Sequence, residues 1–254
     1  MLVYAAWRER DHGSSLEFKD IDHAGGIRLA ASLIERGGRC LEPDEVSALL
    51  AHYEIPTAAG VVVNSADEVE KAAMKLGTPA VVKIVSSSIL HKSDVGGVRV
   101  GLTSPEMAGA VAHEMLESLT AAGRHLEVDG FLVQEMVASE GAEFFIGVTH
   151  DQLFGPLIAC GAGGTMLELM RDVAIRITPL TDVDTTEMLR SLKSHRLLEG
   201  YRGQPPLDSA SLEELLLRIS VLVEDLPYIA KLDQNPVLVR PSTAASCWTH
   251  GTAS

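Results

Sequence analysis

The chain has 254 residues, more than one average domain, so its length calls for one large α/β unit or two lobes sharing a cleft. Its composition, 46% hydrophobic and 4% aromatic, is that of a globular protein and excludes disorder and a membrane class. A formal net charge of -14 opposes binding to nucleic acid or anionic lipid, so a phosphate ligand must be held by a local cluster of donors. The cysteines (Cys40, Cys160, Cys247) are odd in number and lack CxxC spacing, which argues against a disulfide framework and against zinc. With no signal peptide or membrane-length apolar run, the expected location is cytoplasmic.

In chain order, residues 1–40 mix charge and glycine with one helix-like run, GIRLAASLIERG, which places Ile27, Ala30, Ala31 and Ile34 on one face. This reads as a lead-in segment. PDEVSALLAHYEIP predicts a helix that begins at Pro43 and groups Val46, Leu49, Leu50 and Tyr53. A short strand GVVV precedes a helix capped by Asn64 or Ser65 and ended by Gly77. The strand PAVVKIV leads into ILHKSDVGGVRV, and Ser104 with Pro105 opens the next helix. Three neighbouring strand runs, DGFLVQEMV, EFFIGVTH and FGPLIACG, suggest an antiparallel portion. GAGGTMLELMRD reads as a glycine turn into a helix, followed by the strand VAIRITPL, helices over 181–193 and 208–226, and the strand run YIAKLDQNPVLV. Residues 241–254 lack an element's pattern. Helices alternating with strands predict an α/β (α+β) fold.

Several residues stand out chemically. Lys83 is the lone charge in AVVKIV; a buried ammonium there needs an anion, whereas an edge-strand lysine would snorkel to water. In the HKSDVGG loop, Gly96 and Gly97 could turn backbone N–H groups toward an anion, Lys92 adds charge and His91 offers a nucleophile; a solvated turn is the alternative. GAGG, with Gly163 and Gly164, is a second candidate phosphate cradle. Glu168 and Asp172 are four apart, which suits a metal or a solvated helix face. Asp233 and Asn235 alternate along KLDQNPVLV and so share a side, as two oxygen ligands of Mg2+ or as a strand end before Asn-Pro.

Taken in order, the strand lysine, the HKSDVGG loop, VQEMV followed by GAEFFIGV, GAGGTMLELMRD with IRITPL, and LDQNP resemble the ATP-grasp portion of the ADP-forming acyl-CoA synthetases. That family is related to the β subunit of succinyl-CoA synthetase. The resemblance covers about residues 40–240. It implies an ATP-grasp fold with two lobes enclosing a nucleotide cleft, roughly 41–125 and 126–240, flanked by a lead-in and an irregular tail. It further implies that Lys83 holds the ATP phosphates and that the backbone of Gln134, Glu135, Met136 and Val137 receives adenine. Glu143 would lie near the ribose and Arg176 near the phosphates. His91 corresponds to the family's phosphohistidine, and Asp233 and Asn235, supported by Glu168, to its Mg2+ ligands.

The implied activity moves phosphate between ATP or ADP and His91, with a CoA-binding α-type subunit or domain as partner in a hetero-oligomer. This chain departs from the family pattern at Lys231, where Glu is usual, and no Asp or Glu occurs between Asp233 and residue 254. Those departures define the rival expectation, a noncatalytic ATP-grasp module serving regulation or interaction. An ATP-grasp carboxylate-amine ligase is a third reading, and it has no need of His91.

Overall fold

The computed structural model describes residues 13–37, 41–86, 88–89, 92–124, 127–137, 140–164, 172–201, 203–242 and 248–253. The chain divides into two compact units. The smaller comprises residues 42–45 and 58–138, and the larger the lead-in, residues 46–57 and 139–254.

The smaller unit runs β1 (Gly60–Val63), a 3-10 turn (Ala66–Glu68), α3 (Val69–Leu76), β2 (Ala80–Val85), a 3-10 turn (Lys92–Val95), β3 (Val98–Leu102), α4 (Pro105–Ala121) and β4 (Gly130–Glu135). Its strands form one sheet in the order β1-β4-β2-β3. Ser104 caps α4 by accepting the Met107 N–H at 3.2 Å, with Pro105 in the first turn as predicted. Ahead of α3, Ser65 holds the cap position of the 3-10 turn without a side-chain bond; Glu68 is the cap residue of α3 itself, and its carboxylate accepts the Asn64 N–H at 2.9 Å. Ala80, Val82, Ile84, Phe131 and Val133 pack with Val69, Ala73, Ala108, Ala112 and Met115 to form the core. β4 inserts between β1 and β2, so residues 130–135 complete this first core; the boundary falls near residue 138 rather than at 125.

The larger unit contains α1 (His23–Glu35), α2 (Pro43–Ala51, whose first residues group with the smaller unit), β5 (Ala142–Asp151), β6 (Gly155–Ala162) and β7 (Val173–Ile177). There follow α5 (Asp182–Ser191), α6 (His195–Leu198), α7 (Ser209–Asp225), β8 (Lys231–Val239) and β9 (Trp248–Ala253). Its sheet has the order β7-β6-β5-β8-β9. Every strand pairing among the described residues is antiparallel, so the α+β form of the expected fold is the one adopted. Phe144, Ile146, Ile158, Cys160 and Leu232 meet Leu212, Leu216, Ile219 and Val223 of α7 in its core. β9 lies in the tail expected to be irregular; a strand needs only ladder partners, and the edge of β8 supplies them.

The lead-in, from residue 13 onward, belongs to this unit. Its helix forms, but with a different buried face: Gly26, Ala30 and Leu33 turn inward, while Ile27 and Ile34 are exposed. The reason is close approach, since a Cβ on Gly26 would stand 2.7 Å from the Tyr53 ring. Buried Arg218 holds the segment ahead of the helix, donating to Asp20 at 2.8 Å and lying 4.3 Å above the Phe18 ring. His23 contacts Asp225 at 2.6 Å, and the Tyr53 hydroxyl donates to the same carboxylate at 3.1 Å. Among the described residues no helix is long and apolar enough to cross a membrane.

Candidate functional site

In the smaller unit, alternation along β2 sends Ala80, Val82 and Ile84 into the core and Val81, Lys83 and Val85 to the other face. Register sets Lys83 opposite Leu132 and Gln134 opposite Val81, which makes Lys83 and Gln134 diagonal neighbours on that face. Burial, followed by the nearby charge of Lys92, lowers the Lys83 ammonium to about 8. No carboxylate pairs with it among the described residues. Gln134 is 8% exposed, and its Oε1 has no hydrogen-bond partner there. A half-buried cation without a counter-charge and a buried acceptor without a donor are both costly. A polar, anionic ligand relieves both costs, so this face fits a nucleotide.

The expected hinge is partly committed to the fold. The Glu135 N–H donates to Ala59 O at 2.9 Å and its carboxylate accepts the Ala59 N–H at 3.0 Å, while the Met136 N–H donates to Pro79 O at 3.0 Å. The Val137 N–H has no backbone partner among the described residues.

The loop differs from the expected open cradle. The Gly97 N–H donates to Lys92 O at 2.7 Å and Gly97 O accepts the Ile84 N–H at 2.9 Å, so that N–H is unavailable to an anion. A Cβ on Gly97 would stand 2.6 Å from Ile84 Cδ1, and Gly96 has a φ of 70°. These glycines therefore close a tight turn against β2, and the Gly97 N–H is spent on that turn rather than offered to an anion as expected. Arg99, unremarked in the sequence reading, secures the turn by donating to Gly96 O at 2.7 Å and Val98 O at 3.2 Å. Its only sequence signal is a cation in the strand VRV directly after Gly-Gly. His91 lies outside the described residues.

In the larger unit, Glu143, Gly147, Lys231 and Asp233 occupy the sheet face opposite the core. Asp233 lies directly across from Gly147, which brings no side chain toward it, and Asn235 is exposed beyond buried Gln234. Burial raises the Asp233 carboxyl above its ordinary value, and Lys231 partly offsets this. On the neighbouring strand, Thr252 holds the register position opposite Asp233. Among the described residues no group of three or more His, Cys, Asp or Glu is arranged to hold a metal. Asp233 and Asn235 instead suit Mg2+ that keeps waters and phosphate oxygens as its remaining ligands.

Gly163 donates its N–H to Glu143 O at 2.7 Å, so this second expected cradle also spends a donor on the fold. Gly164 leaves room beside the Glu143 carboxylate. Arg176 is opposite Ile158 on β6, hence on the helix-covered side of the sheet, and donates to Ile175 O at 2.9 Å. The structure therefore does not group it with Glu143 and Asp233. Glu168 lies outside the described residues. Asp172 is buried and accepts the N–H groups of Lys193 at 2.8 Å and Ser194 at 2.7 Å, capping a turn rather than facing a metal.

A family model described as "ATP-grasp domain" matches residues 32–247. The β subunit of the ADP-forming acetate–CoA ligase II of Pyrococcus furiosus is 34% identical over 84% of this chain and 90% of its own length. The chain belongs to the ATP-grasp family of ADP-forming acyl-CoA synthetases. This ATP-grasp domain is also 34% identical to the ADP-forming 4-hydroxybutyrate–CoA ligase of Nitrosopumilus maritimus over 94% of its length. It spans only 34% of that longer protein. Among solved structures, acetyl-coenzyme A synthetase 1 of Candidatus Korarchaeum cryptofilum, in complex with coenzyme A and Ca-AMPCP, superposes on the ATP-grasp domain with a TM-score of 0.81 at 33% identity, covering 89% of this chain and 97% of that one. Another structure of that protein, with Mg-AMPPCP, is described with its phosphohistidine segment pointing towards the nucleotide-binding site (TM-score 0.74, 32% identity, covering 90% and 98%).

Proposed function

We propose that this chain is the nucleotide-handling part of an ADP-forming acyl-CoA synthetase, moving a phosphoryl group between ATP or ADP and His91. With a CoA-binding α-type subunit or domain, the full reaction converts acyl-CoA, ADP and phosphate to carboxylate, CoA and ATP. The observation that carries the reading is the face holding half-buried Lys83, which pairs with no carboxylate among the described residues, beside the orphaned Gln134 acceptor. The likeness to two-subunit and single-chain ADP-forming ligases supports it.

In this reading Lys83 balances phosphate charge, the Val137 N–H meets the adenine edge, and Glu143 accepts from ribose hydroxyls. Lys92 adds positive charge on the phosphate side, and the Gly96–Gly97 turn, held by Arg99, fixes its position. His91 is the nucleophile toward the terminal phosphorus, attacking through a ring nitrogen as ADP leaves. Asp233 and Asn235 would hold Mg2+, which when bound shields phosphate charge. The reaction would take place in the cytoplasm.

A second reading rests on Lys231 and on a tail with no Asp or Glu after Asp233: with a cation on the same sheet face as Asp233 and no second carboxylate to follow it, the domain would bind nucleotide for regulation without transfer. Incubation with Mg2+ and γ-labelled ATP separates the two. Transfer gives an acid-labile label on His91 that is absent from His91→Ala, while calorimetry shows that this variant still binds ATP. Nucleotide binding without a histidine label selects the regulatory reading.

A further inference from the structure

Strand β2 seats one lysine among uncharged neighbours. Lys83 stands opposite Val98 on β3 and Leu132 on β4, shares its face with Val81 and Val85 of its own strand, and has Gly130 and Gln134 as diagonal neighbours. Among the described residues its amine makes no hydrogen bond or ion pair. The one charge that acts on it is another cation, Lys92. A lysine withdrawn from water and set beside a second cation holds its proton weakly, and its neutral amine is a nucleophile. Lys19, Lys71, Lys75, Lys193 and Lys231 are all exposed, so the chain carries its own reference set of solvated lysines.

This amine lies on the face that fits phosphate, so an electrophile that reaches it must itself carry a phosphate. An acyl phosphate does: its carbonyl carbon is joined to phosphorus through one bridging oxygen, and a phosphate drawn by Lys92 brings that carbon to Nζ. It is also the form in which ATP activates a carboxylate for attack by a thiol. We propose that Lys83 is an acylation site, its amine taking the acyl group of an acyl phosphate and thereby closing the nucleotide site. The proposal rests on the nucleotide reading above and adds regulation to it. The Nζ lone pair forms the new C–N bond, and the bond from the carbonyl carbon to the bridging oxygen breaks with its electrons on the departing inorganic phosphate. The amine proton passes to that phosphate, and nothing is oxidised or reduced. The amide is neutral and longer than the amine, so the charge that balances nucleotide phosphate is gone. Accumulated acyl phosphate would then silence the chain that helps to make it.

Acetyl phosphate is the probe. The full chain is incubated with it at pH 7, with and without Mg-AMPPCP, and the acetylation rate of each lysine is read by peptide mass spectrometry. Burial and then Lys92 lower the Lys83 ammonium from 10.5 to about 8, which makes its neutral fraction at pH 7 about 300-fold that of an ordinary lysine. Part of this is given back because nucleophilicity falls with basicity, so Lys83 should acetylate about tenfold or more faster than the five exposed lysines. Mg-AMPPCP should slow Lys83 alone, by covering it and by returning its proton. Acetic anhydride, which has no phosphate, should show a smaller preference for Lys83. ATP binding, followed by calorimetry, should fall in proportion to the fraction of Lys83 acetylated.

Lys83 acetylating no faster than the exposed lysines, in a chain that binds Mg-ATP, overturns the proposal while leaving the nucleotide reading intact. An equal preference with acetic anhydride does the same, because phosphate then plays no part. Undiminished ATP binding by chain acetylated at Lys83 overturns the closure and takes from the nucleotide reading its phosphate-balancing lysine. A folded chain that binds no ATP and gains no protection from Mg-AMPPCP refutes the nucleotide reading and the proposal with it.

Discussion

Replacing Lys83 by Met deletes the ammonium and keeps most of the apolar stem. Burial and Lys92 bring this lysine from its ordinary value of 10.5 to about 8, so the folded chain holds the proton less tightly than the unfolded chain does. At ~1.4 kcal/mol per pH unit, that difference costs the ligand-free fold about 3 kcal/mol at pH 7. The cost is complete below pH 8, shrinks as pH rises through the interval in which only the unfolded chain keeps the proton, and is gone above 10.5. Lys83→Met should therefore be more stable than the parent at pH 7, by up to ~3 kcal/mol, with the gap closing toward pH 10. Urea unfolding of both proteins at several pH values measures this. Nucleotide phosphate should restore the lysine's affinity for its proton, so ATP binding by the parent near pH 8.5 should take up a proton. That uptake appears as a calorimetric heat that varies with the ionisation enthalpy of the buffer, and it should be absent from Lys83→Met, which should also bind ATP far more weakly. A variant less stable than the parent at pH 7, or a stability gap indifferent to pH, would refute the reasoning.

His113 faces two acceptors, the Asp67 carboxylate at 2.8 Å and the Gly109 carbonyl at 2.9 Å, so both ring nitrogens are called on to donate and the imidazolium is favoured. The bond to Gly109, then that to Asp67, raises its pKa; the stabilisation is full below the ordinary value of 6.5 and is lost as pH rises through the higher folded value. Asp67→Asn should lower the ring pKa in an NMR titration, with a stability effect of ~0.5 kcal/mol, the scale of exposed ion pairs; an unmoved titration contradicts the clasp. Lys231→Glu removes the cation that shares a sheet face with Asp233. It should tighten Mg2+-dependent ATP binding several-fold, and an identical magnesium titration in parent and variant would show that Lys231 does not compete.

Much of this was legible in the residues because local chemistry decided it. Ser104 with Pro105 fixed the start of α4, and Thr181 forms a capping box with Asp184 at α5. The strand period placed Lys83 away from the core neighbours Val82 and Ile84. What the sequence hid depends on distant partners. The inward face of α1 is chosen by Tyr53, so the bulky Ile27 and Ile34 lost to Gly26. HKSDVGG reads as an anion cradle until Lys92 O and Ile84 claim the backbone of Gly97. Arg176 alternates like a site residue, but only the pairing with Ile158 shows which side of the sheet it occupies. β9 has no apolar periodicity of its own, because its place comes from the edge of β8.

The smaller unit is almost continuous in sequence, while the larger is interrupted by it. During synthesis the two therefore mature in a set order. Once β4 has emerged, residues 58–138 hold all their strands and both helices and can close their core. The lead-in waits longer: Asp20 and His23 meet Arg218 and Asp225 across separations of 198 and 202 residues. Until α7 leaves the ribosome, α1 has no ion-pair partner there and Tyr53 no carboxylate for its hydroxyl. Contacts of such sequence separation form late and slowly. The half-made larger unit, with the apolar side of α2 uncovered, is thus the species most in need of a chaperone.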